Sequence, residues 1–493
     1  MQCEQLFSAY HVSVGRGAAV PPDQSQTQRR ERHRWHHNWK TLMHRIVVGL
    51  LILVVECTVA VGGEVMDPEV PSILNLREQA ELRDAWLAKR LDTVVPMLMR
   101  REGIDMWLLI AREYNEDPVI ETMLPATWLS SRRRTVLIFY DTGTGMALEQ
   151  LAVSRYAPGE QFVAAWLPEE EPDQWGLIAK LIAERNPRRI AVKQSEVFPL
   201  ADGLSAGEAK ALVTAIGEKY AKRLVTAEKL AIGWLETRIA DEMLVYPTLV
   251  RIAHAIIAEG LSEKVVTPGI TTTSDIAWWY RERLRGLGLG TWFHPGVSLD
   301  RADVVNGPKA NQFADKQKSS VILPGDFLHV DFGITYLGLN TDTQHHAYVL
   351  LPGETAAPDG LVAGIAAGNR VQDILMSNFR SGISGNDLQA QSRREAIDSG
   401  LNATIYSHAI GLHGHGAGPW IGMWDDQLAR PPVGDYQVFP NTAWSIELNV
   451  QLEVPEWGGK VVQFKSEEDA YFDGKNIQFL DGRQEELHLI PRQ

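Results

Sequence analysis

Between residues 77 and 101 apolar side chains return every third or fourth position, the period of a helix with one buried stripe. The rhythm then shortens. Apolar runs at 106–111, 135–140, 161–166 and 189–192, separated by turn residues or helical stretches, predict strands, and 208–223 predicts a helix. Together these describe an α/β domain. A longer amphipathic pattern over 237–259 opens a second region, which places the boundary at 225–235. A helix at 274–287 follows, then a strand-rich stretch from 292 to 349 punctuated by Pro324-Gly325 and Gly338. Two more helices, 359–379 and 386–399, precede a last strand-rich block that runs to 490. Helices alternating with mostly antiparallel strands predict an α+β fold for this second region rather than a doubly wound sheet.

A chain of 493 residues is long enough for two folded domains and a leader. Residues 46–55 are wholly apolar, follow Met43-His44-Arg45 and precede Ala60-Val61-Gly62, which has the form of a signal-peptidase site. Glu56 interrupts the run short of the ~20 residues a membrane span needs, so a cleaved export signal is expected, with no span retained. The mature protein is then periplasmic or extracellular. Residues 1–42, basic and without periodicity, read as a disordered cytosolic tail or as the product of a start codon assigned too early; the second reading, with Met43 as the start, is preferred. The expected division is a leader over 1–63, a smaller α/β domain over 64–230 and a catalytic domain over 231–493.

Charge and cysteines narrow the chemistry. The net charge is -14, and residues 1–63 hold seven Lys/Arg against four Asp/Glu, leaving 41 against 58 for the rest. An acidic body argues against nucleic acid as a partner. Cys3 and Cys57 both lie in the leader, so the remainder has no disulfide, thiolate nucleophile or cysteine metal site. Any metal must be held by oxygen and imidazole.

Residues 328–336 alternate as a strand, 338–340 can turn and 341–349 return, so a hairpin brings Asp331 and Asp342 towards each other. Two carboxylates in a partly buried place repel unless they are protonated or neutralised by cations. Alone, the pair reads more readily as two solvent-facing aspartates. Further ligands change the balance: His408 after Ser407, Glu447 after Ser445-Ile446, and Glu467 in Lys465-Ser466-Glu467-Glu468-Asp469, each Glu within or beside an apolar, strand-like run. Four carboxylates and one imidazole suit two divalent ions, manganese first and cobalt, iron or zinc as alternatives. Two such ions ~3.5 to 4 Å apart can clamp the attacking and receiving oxygens of a hydrolysis.

At these residues the sequence resembles the pita-bread metallopeptidases: aminopeptidase P, prolidase and methionine aminopeptidase, with creatinase as a metal-free relative. The similarity covers about residues 235–480, and the preceding domain resembles the amino-terminal domain of the aminopeptidase P, prolidase and creatinase branch. The resemblance implies a pita-bread catalytic domain with the metal ligands Asp331, Asp342, His408, Glu447 and Glu467, of which Asp342 and Glu467 bridge, and a bridging water or hydroxide as nucleophile. Gly414-His415-Gly416-Ala417-Gly418 at first looks like the family's ligand loop, yet Ser407-His408-Ala409-Ile410-Gly411-Leu412 with His415 seven residues on matches better. His408 is therefore assigned to metal and His415 to substrate contact and proton movement. Relatives commonly form dimers, which implies a homodimer.

The chain departs from the family pattern in several places. Gln344-His345 stand where Thr-Arg is usual, Glu447 is followed by Leu448-Asn449 rather than Pro-Gly, and His415 by Gly416 rather than an acid. These changes touch the substrate pocket more than the ligands. The histidine that aminopeptidase P carries shortly before its first metal aspartate has no clear match; His294 is a candidate replacement, weighed evenly against a turn-capping role. Trp420 and Trp424 follow His415 closely enough to wall the pocket, although such residues are more often core or rim.

Two weaker signals point elsewhere. Gly203-Leu204-Ser205-Ala206-Gly207 has the GxSxG form of serine hydrolases but no strand leading into it, and Ser205 with Glu208 reads as a helix capping box. Gly286 to Gly290 follows a helix, not a strand, and is read as a helix-ending turn. The favoured function is an exported metallopeptidase that hydrolyses the amino-terminal bond of short peptides, Xaa-Pro bonds above others, with Glu447 relaying a proton and His415 steadying the intermediate. A pita-bread lyase or amidinohydrolase acting on a small metabolite, and a peptide-binding pseudoenzyme, are the alternatives.

Overall fold

The computed structural model describes residues 69–143, 145, 147–303 and 319–493, all within one compact unit spanning Val65–Gln493. The expected leader and its export signal lie outside the described residues. Helix α1 (Leu76–Glu102) starts where the Asn75 side chain accepts from the Arg77 and Glu78 amides while the Glu78 carboxylate accepts from the Asn75 amide, a reciprocal cap. Gly103, at φ 62°, ends it in the left-handed conformation that glycine adopts without penalty.

Strands β1 (Met106–Arg112), β2 (Arg134–Tyr140), β3 (Glu149–Val153), β4 (Val163–Ala164), β5 (Ile190–Val192) and β6 (Leu224–Thr226) form one mixed sheet in the order β4-β3-β2-β1-β5-β6. The unbroken apolar run in β1 follows from cover on both faces. Trp107 and Leu109 face the core that includes α1, whereas Met106, Leu108 and Ile110 face helices α2 (Gln174–Arg185) and α3 (Ala206–Ala221). The strand expected over 161–166 is only two exposed residues long, and β3 was not foreseen because its first half, Glu149-Gln150, is polar. Ser205 caps α3 as expected by accepting from the Glu208 amide, but the reciprocal bond is replaced by a Glu208–Arg134 ion pair at 2.6 Å.

The single helix expected over 237–259 is broken. Helix α4 (Glu228–Glu236) ends at Thr237, which is extended and bridges to Thr442; a four-residue turn, Ala240–Met243, precedes helix α5 (Tyr246–Gly260). The break has an electrostatic reason. Arg90 of α1 donates to the carbonyls of Thr237 and Trp234 and to Glu242 at 3.1 Å, and Arg238 lies 3.4 Å from Glu242, all buried. Carbonyls committed to a guanidinium are poor partners for a continuing helix. The stretch Ala240–Gly260 is apolar enough by composition to cross a membrane, but α5 is a core helix packed on the sheet described next.

Helix α6 (Thr273–Leu287), stopped by Gly288 at φ 72°, leads to the strand-rich part. Strands β7 (Gly296–Asp300), β8 (Phe327–Phe332), β9 (Thr335–Tyr336), β10 (Leu339–Asn340) and β11 (Thr343–Val349) belong to one long hairpin with β7 alongside. Tyr336 pairs with Leu339 and Phe332 with Thr343, so one register runs the length of the hairpin. Leu337 and Gly338 turn it with φ 56° and 77°, the signature of a tight turn of type I′. In this register Asp331 faces Gln344, and Asp342 lies diagonally on the same face.

Helices α7 (Asp359–Ser377) and α8 (Gly385–Asp398) precede strands β12 (Asn402–Ile405), β13 (His408–Ile410), β14 (Thr442–Ser445), β15 (Leu448–Val454), β16 (Lys460–Ser466), β17 (Asp469–Phe472), β18 (Ile477–Phe479) and β19 (His488–Ile490). Three sheets result, ordered β19-β11-β8-β7, β12-β15-β16 and β13-β14-β17-β18. The chain passes from β14 to β15, and from β16 to β17, by switching sheets over two residues. Ser445 pairs with Asp469 and Leu448 with Ser466, so the register carried through the gap sets Glu447 opposite Glu467. Helices α5 and α6 cover the first sheet, and α7 covers β15 and β16.

Gly333 stands between the two aspartates at a point where a Cβ would run into the Thr341 carbonyl oxygen and the rings of Trp292 and Phe293. Gly333→Ala is expected to cost about 2 kcal/mol or more of stability, as overpacking at a close approach does. Because the push falls between the strands carrying Asp331 and Asp342, divalent-cation affinity should fall with it. Thermal denaturation and cation titration of the variant measure both, and an unchanged melting midpoint would contradict the tight approach.

Candidate metal centre

Each side chain of the centre sits at a strand end or a sheet switch. Asp331 is near the end of β8, Asp342 immediately precedes β11, His408 opens β13, and Glu447 and Glu467 occupy the two switches. A main-chain bridge from the Gln344 amide to the Glu467 carbonyl, 3.0 Å, ties the first sheet to the second switch. Carboxylate oxygens of Asp331, Asp342 and Glu467 lie within 4.8 Å of one another, as do the ligand atoms of His408, Glu447 and Glu467 and those of Asp342, His408 and His415.

The His408 ring shows what the centre lacks. Its Nδ1 lies 3.1 Å from the Ala409 carbonyl, which can only accept, so Nδ1 carries the proton and Nε2 carries a lone pair. That lone pair faces Glu467 Oε1 at 3.5 Å, Asp342 Oδ2 at 3.7 Å and Glu447 Oε2 at 4.0 Å. Burial lowers the His408 pKa to about 4, which keeps the ring neutral. His408 Nε2 and Asp342 Oδ1 are buried without a hydrogen-bond partner. Acceptors turned towards acceptors in a dry place are costly unless a cation lies between them.

The carboxylates report the same deficit. Burial, reinforced by Glu467, raises Asp331 to about 8; burial raises Glu467 to about 7 despite hydrogen bonds from Ser445 and Gln344. Asp342 and Glu447 are pushed well above the usual carboxylate range, again by burial first and by Glu467 second. The charge of Lys465 offsets part of the rise at Asp331 and Glu447. Four carboxylates and an imidazole with a free Nε2 are a donor set suited to divalent cations such as Mn, Co, Fe or Zn.

Residues outside the expected set hold these ligands in place. Gln344 Nε2 donates to Glu447 Oε1 and to Glu467 Oε2, both at 2.6 Å, while Gln344 Oε1 accepts from His329 Nε2 at 2.7 Å. Ser445 Oγ donates to Glu467 Oε1, and the Asp469 carboxylate accepts from the Asp342 amide at 3.2 Å. Gln344 was legible only as a departure from the family pattern. Its parity with Asp342 along β11 was the available signal.

His415 comes over the open side. Its Nε2 is 4.0 Å from Asp342 Oδ2, its ring meets that of His408 edge-on at 4.4 Å, and Trp292 packs on it at 4.7 Å. The His415 side chain is 64% exposed, in contrast to the 11% of His408. The candidate tryptophans Trp420 and Trp424 are partly exposed, and Trp292 makes the observed contact with His415. His294 is exposed, packs at a tilt against Trp278 at 5.1 Å and approaches Arg281, and it belongs to none of the groups that converge on the centre.

Residues 248–467 match the model of Metallopeptidase family M24. A search of curated proteins finds no match. Among solved structures the chain is similar to the X-Pro aminopeptidase from Thermotoga maritima MSB8, with TM-score 0.56 and 16% identity over 80% of this chain and 99% of that one. A dipeptidase from Pyrococcus horikoshii OT3 gives TM-score 0.54 and 16% identity over 81% and 99%. Zinc-substituted E. coli aminopeptidase P in complex with product gives 0.52 and 12% over 83% and 96%. At such identities the structures speak for the fold. The chain therefore has the α+β pita-bread fold, preceded by a smaller α/β domain, and its 248–467 segment is similar to the M24 metallopeptidases.

The raised carboxyl pKa values fix a pH dependence. A carboxyl that is held neutral when folded and ionises when unfolded removes stability as pH climbs from its unfolded value, about 4, towards its folded one. For Asp331 and Glu467 that window closes at about 8 and about 7. The chelator-treated protein should therefore lose thermal stability between about pH 5 and 8, and added Mn should restore more of it at the upper end, with release of protons. Melting scans across pH with and without metal, together with proton release on titration, test this; a metal-free protein that gains stability over the window would refute it.

Proposed function

We propose that the chain is a dinuclear metal-dependent hydrolase that removes the amino-terminal residue of short peptides, with Xaa-Pro bonds as its favoured target. The carrying observation is the convergence of a neutral His408 Nε2 and four buried carboxylates beneath a single exposed imidazole. When bound, two divalent cations would supply Lewis acidity at the scissile carbonyl and a water acidic enough to attack it. Asp331, Asp342, His408, Glu447 and Glu467 would hold them. The preference for proline rests on the solved X-Pro aminopeptidase and aminopeptidase P that share the fold.

The rest of the chemistry belongs to the chain. Gln344 fixes Glu447 through Oε1, which leaves Oε2 directed towards His408 and able to take the attacking water's proton. His415 Nε2 stands on the solvent side of Asp342, where it can donate a hydrogen bond to the oxygen of the tetrahedral intermediate while Glu447 passes the water's proton on to the leaving amine. Trp292 restricts its ring. On the same proposal the mature enzyme acts outside the cytoplasm after losing its leader, has no nucleic-acid partner, and assembles as a homodimer.

A panel of Xaa-Pro and non-proline peptides with added Mn, run with elemental analysis of the purified protein, tests the proposal. His408→Ala should lose metal and activity together, whereas His415→Ala should keep its metal and lose about a hundredfold or more in turnover. Metal lost from the His415 variant and kept by the His408 variant would reverse the two roles. A metal-loaded protein that binds the peptides but cleaves none of them would sink the hydrolase reading.

A further inference from the structure

A second group of ligand-type side chains lies behind the centre. Glu468, next to Glu467, is buried and receives two imidazoles, His254 Nε2 of α5 at 2.9 Å on Oε2 and His345 Nε2 of β11 at 3.0 Å on Oε1. The three ligand atoms lie within 4.8 Å of one another. The far side of each ring is also held. His254 Nδ1 meets the Asp481 carboxylate at 3.2 Å, itself paired with Arg251 at 2.8 Å, and His345 Nδ1 meets His488 Nε2 at 3.2 Å. The Gln484 amide donates to Glu468 Oε1 at 2.8 Å.

From these contacts we infer a further divalent-cation site, formed by His254, His345 and Glu468, that takes zinc or an ion of similar size and softness. Two imidazoles and a carboxylate are a zinc donor set, and a carboxylate or a second ring on each Nδ1 is the outer support that sets the tautomer of a zinc-binding histidine. Ligand atoms around a tetrahedral zinc stand about 3.3 Å apart; the two nitrogen-to-oxygen distances, 2.9 and 3.0 Å, each to a different Glu468 oxygen, are a few tenths of an ångström short of that, and the whole set lies within 4.8 Å. Metal-free, the triad is held by the two ring-to-carboxylate contacts, which the cation would replace. The His254 side chain is 16% exposed, which leaves a way in, whereas Glu468 is 2% exposed. The ion would join α5, β11 and the second sheet switch, the segment that presents Glu467.

This site is independent of the proposed peptidase activity. Each of the three groups converging on the first centre contains Asp342 or His408, so among the described residues an Asp342→Asn/His408→Gln protein keeps just the new one of these four groups intact. After chelator treatment and equilibrium dialysis against zinc, elemental analysis should find three equivalents in the wild type, one in that double variant and none once His254→Gln is added. The melting temperature of the double variant should rise with zinc concentration, and His254→Gln should abolish the rise. Zero equivalents in the double variant, or an ion retained after His254→Gln, overturns the inference. If the triple variant does not fold, His254→Gln alone decides against the wild type: one equivalent fewer supports the site and an unchanged count refutes it. A failed peptide panel alongside a retained third equivalent would reject the activity and leave this site standing.

Discussion

Four carboxylic acids gathered away from water cannot all be charged, and in this fold they cannot move apart. Asp331 and Asp342 share a face of one antiparallel ladder, and Glu447 and Glu467 oppose each other where a second ladder changes sheets. Their spacing is set by main-chain hydrogen bonds that helices α5, α6 and α7 shield from water. The cost of that crowding is the reason for the surrounding polar side chains. Gln344 and Ser445 donate to the glutamates, Lys465 supplies a positive field, and Asp469 anchors the amide of Asp342. None of them answers the lone pair of His408, and that vacancy of charge is what a cation fills.

The hairpin was legible because its information is local. Period-two alternation and a Gly-containing turn fix both strands, and a two-residue repeat then decides which side chains share a face. The α1 helix was legible for the same reason. Glu447 and Glu467 could be recognised singly, from the apolar runs beside them, but their opposition depends on a ladder joining residues that are distant along the chain and interrupted in the middle. Gln344 stood out only as a departure from the family pattern; its parity puts it on the face of Asp342, but its role appears only when Asp331, Glu447 and Glu467 are all in place.

The failures at 237–259 and 149–153 have physical causes of the same kind. An amphipathic period cannot reveal that Arg90, a buried cation from α1, captures two carbonyls and Glu242 and so unwinds the pattern at Thr237. Burial lowers the Arg90 pKa to about 10, against the pull of Glu242. A buried pair of this sort is weak evidence for stability but strongly directional, and here it fixes where the first long helix meets the start of the second region. β3 pairs along β2 in spite of its polar start because its last residues, Leu151 to Val153, fill the sheet's two cores.

That junction bears on what the centre can reach. A cavity of about 400 Å³ is walled by Trp86 and Arg90 of α1, Glu121 of the short turn after β1, and Trp292, Asn340 and His413 of the catalytic part. Trp292 lines this cavity and also packs on His415. A space of this size accommodates a few side chains, at the small end of ligand sites. The first domain thus contributes part of the wall: α1, held by Arg90, supplies Trp86 and Arg90 to the same cavity as Trp292. On the proposed reading, a shared wall of this kind is the means by which the first domain would favour short substrates, through Trp292, which touches both the cavity and His415.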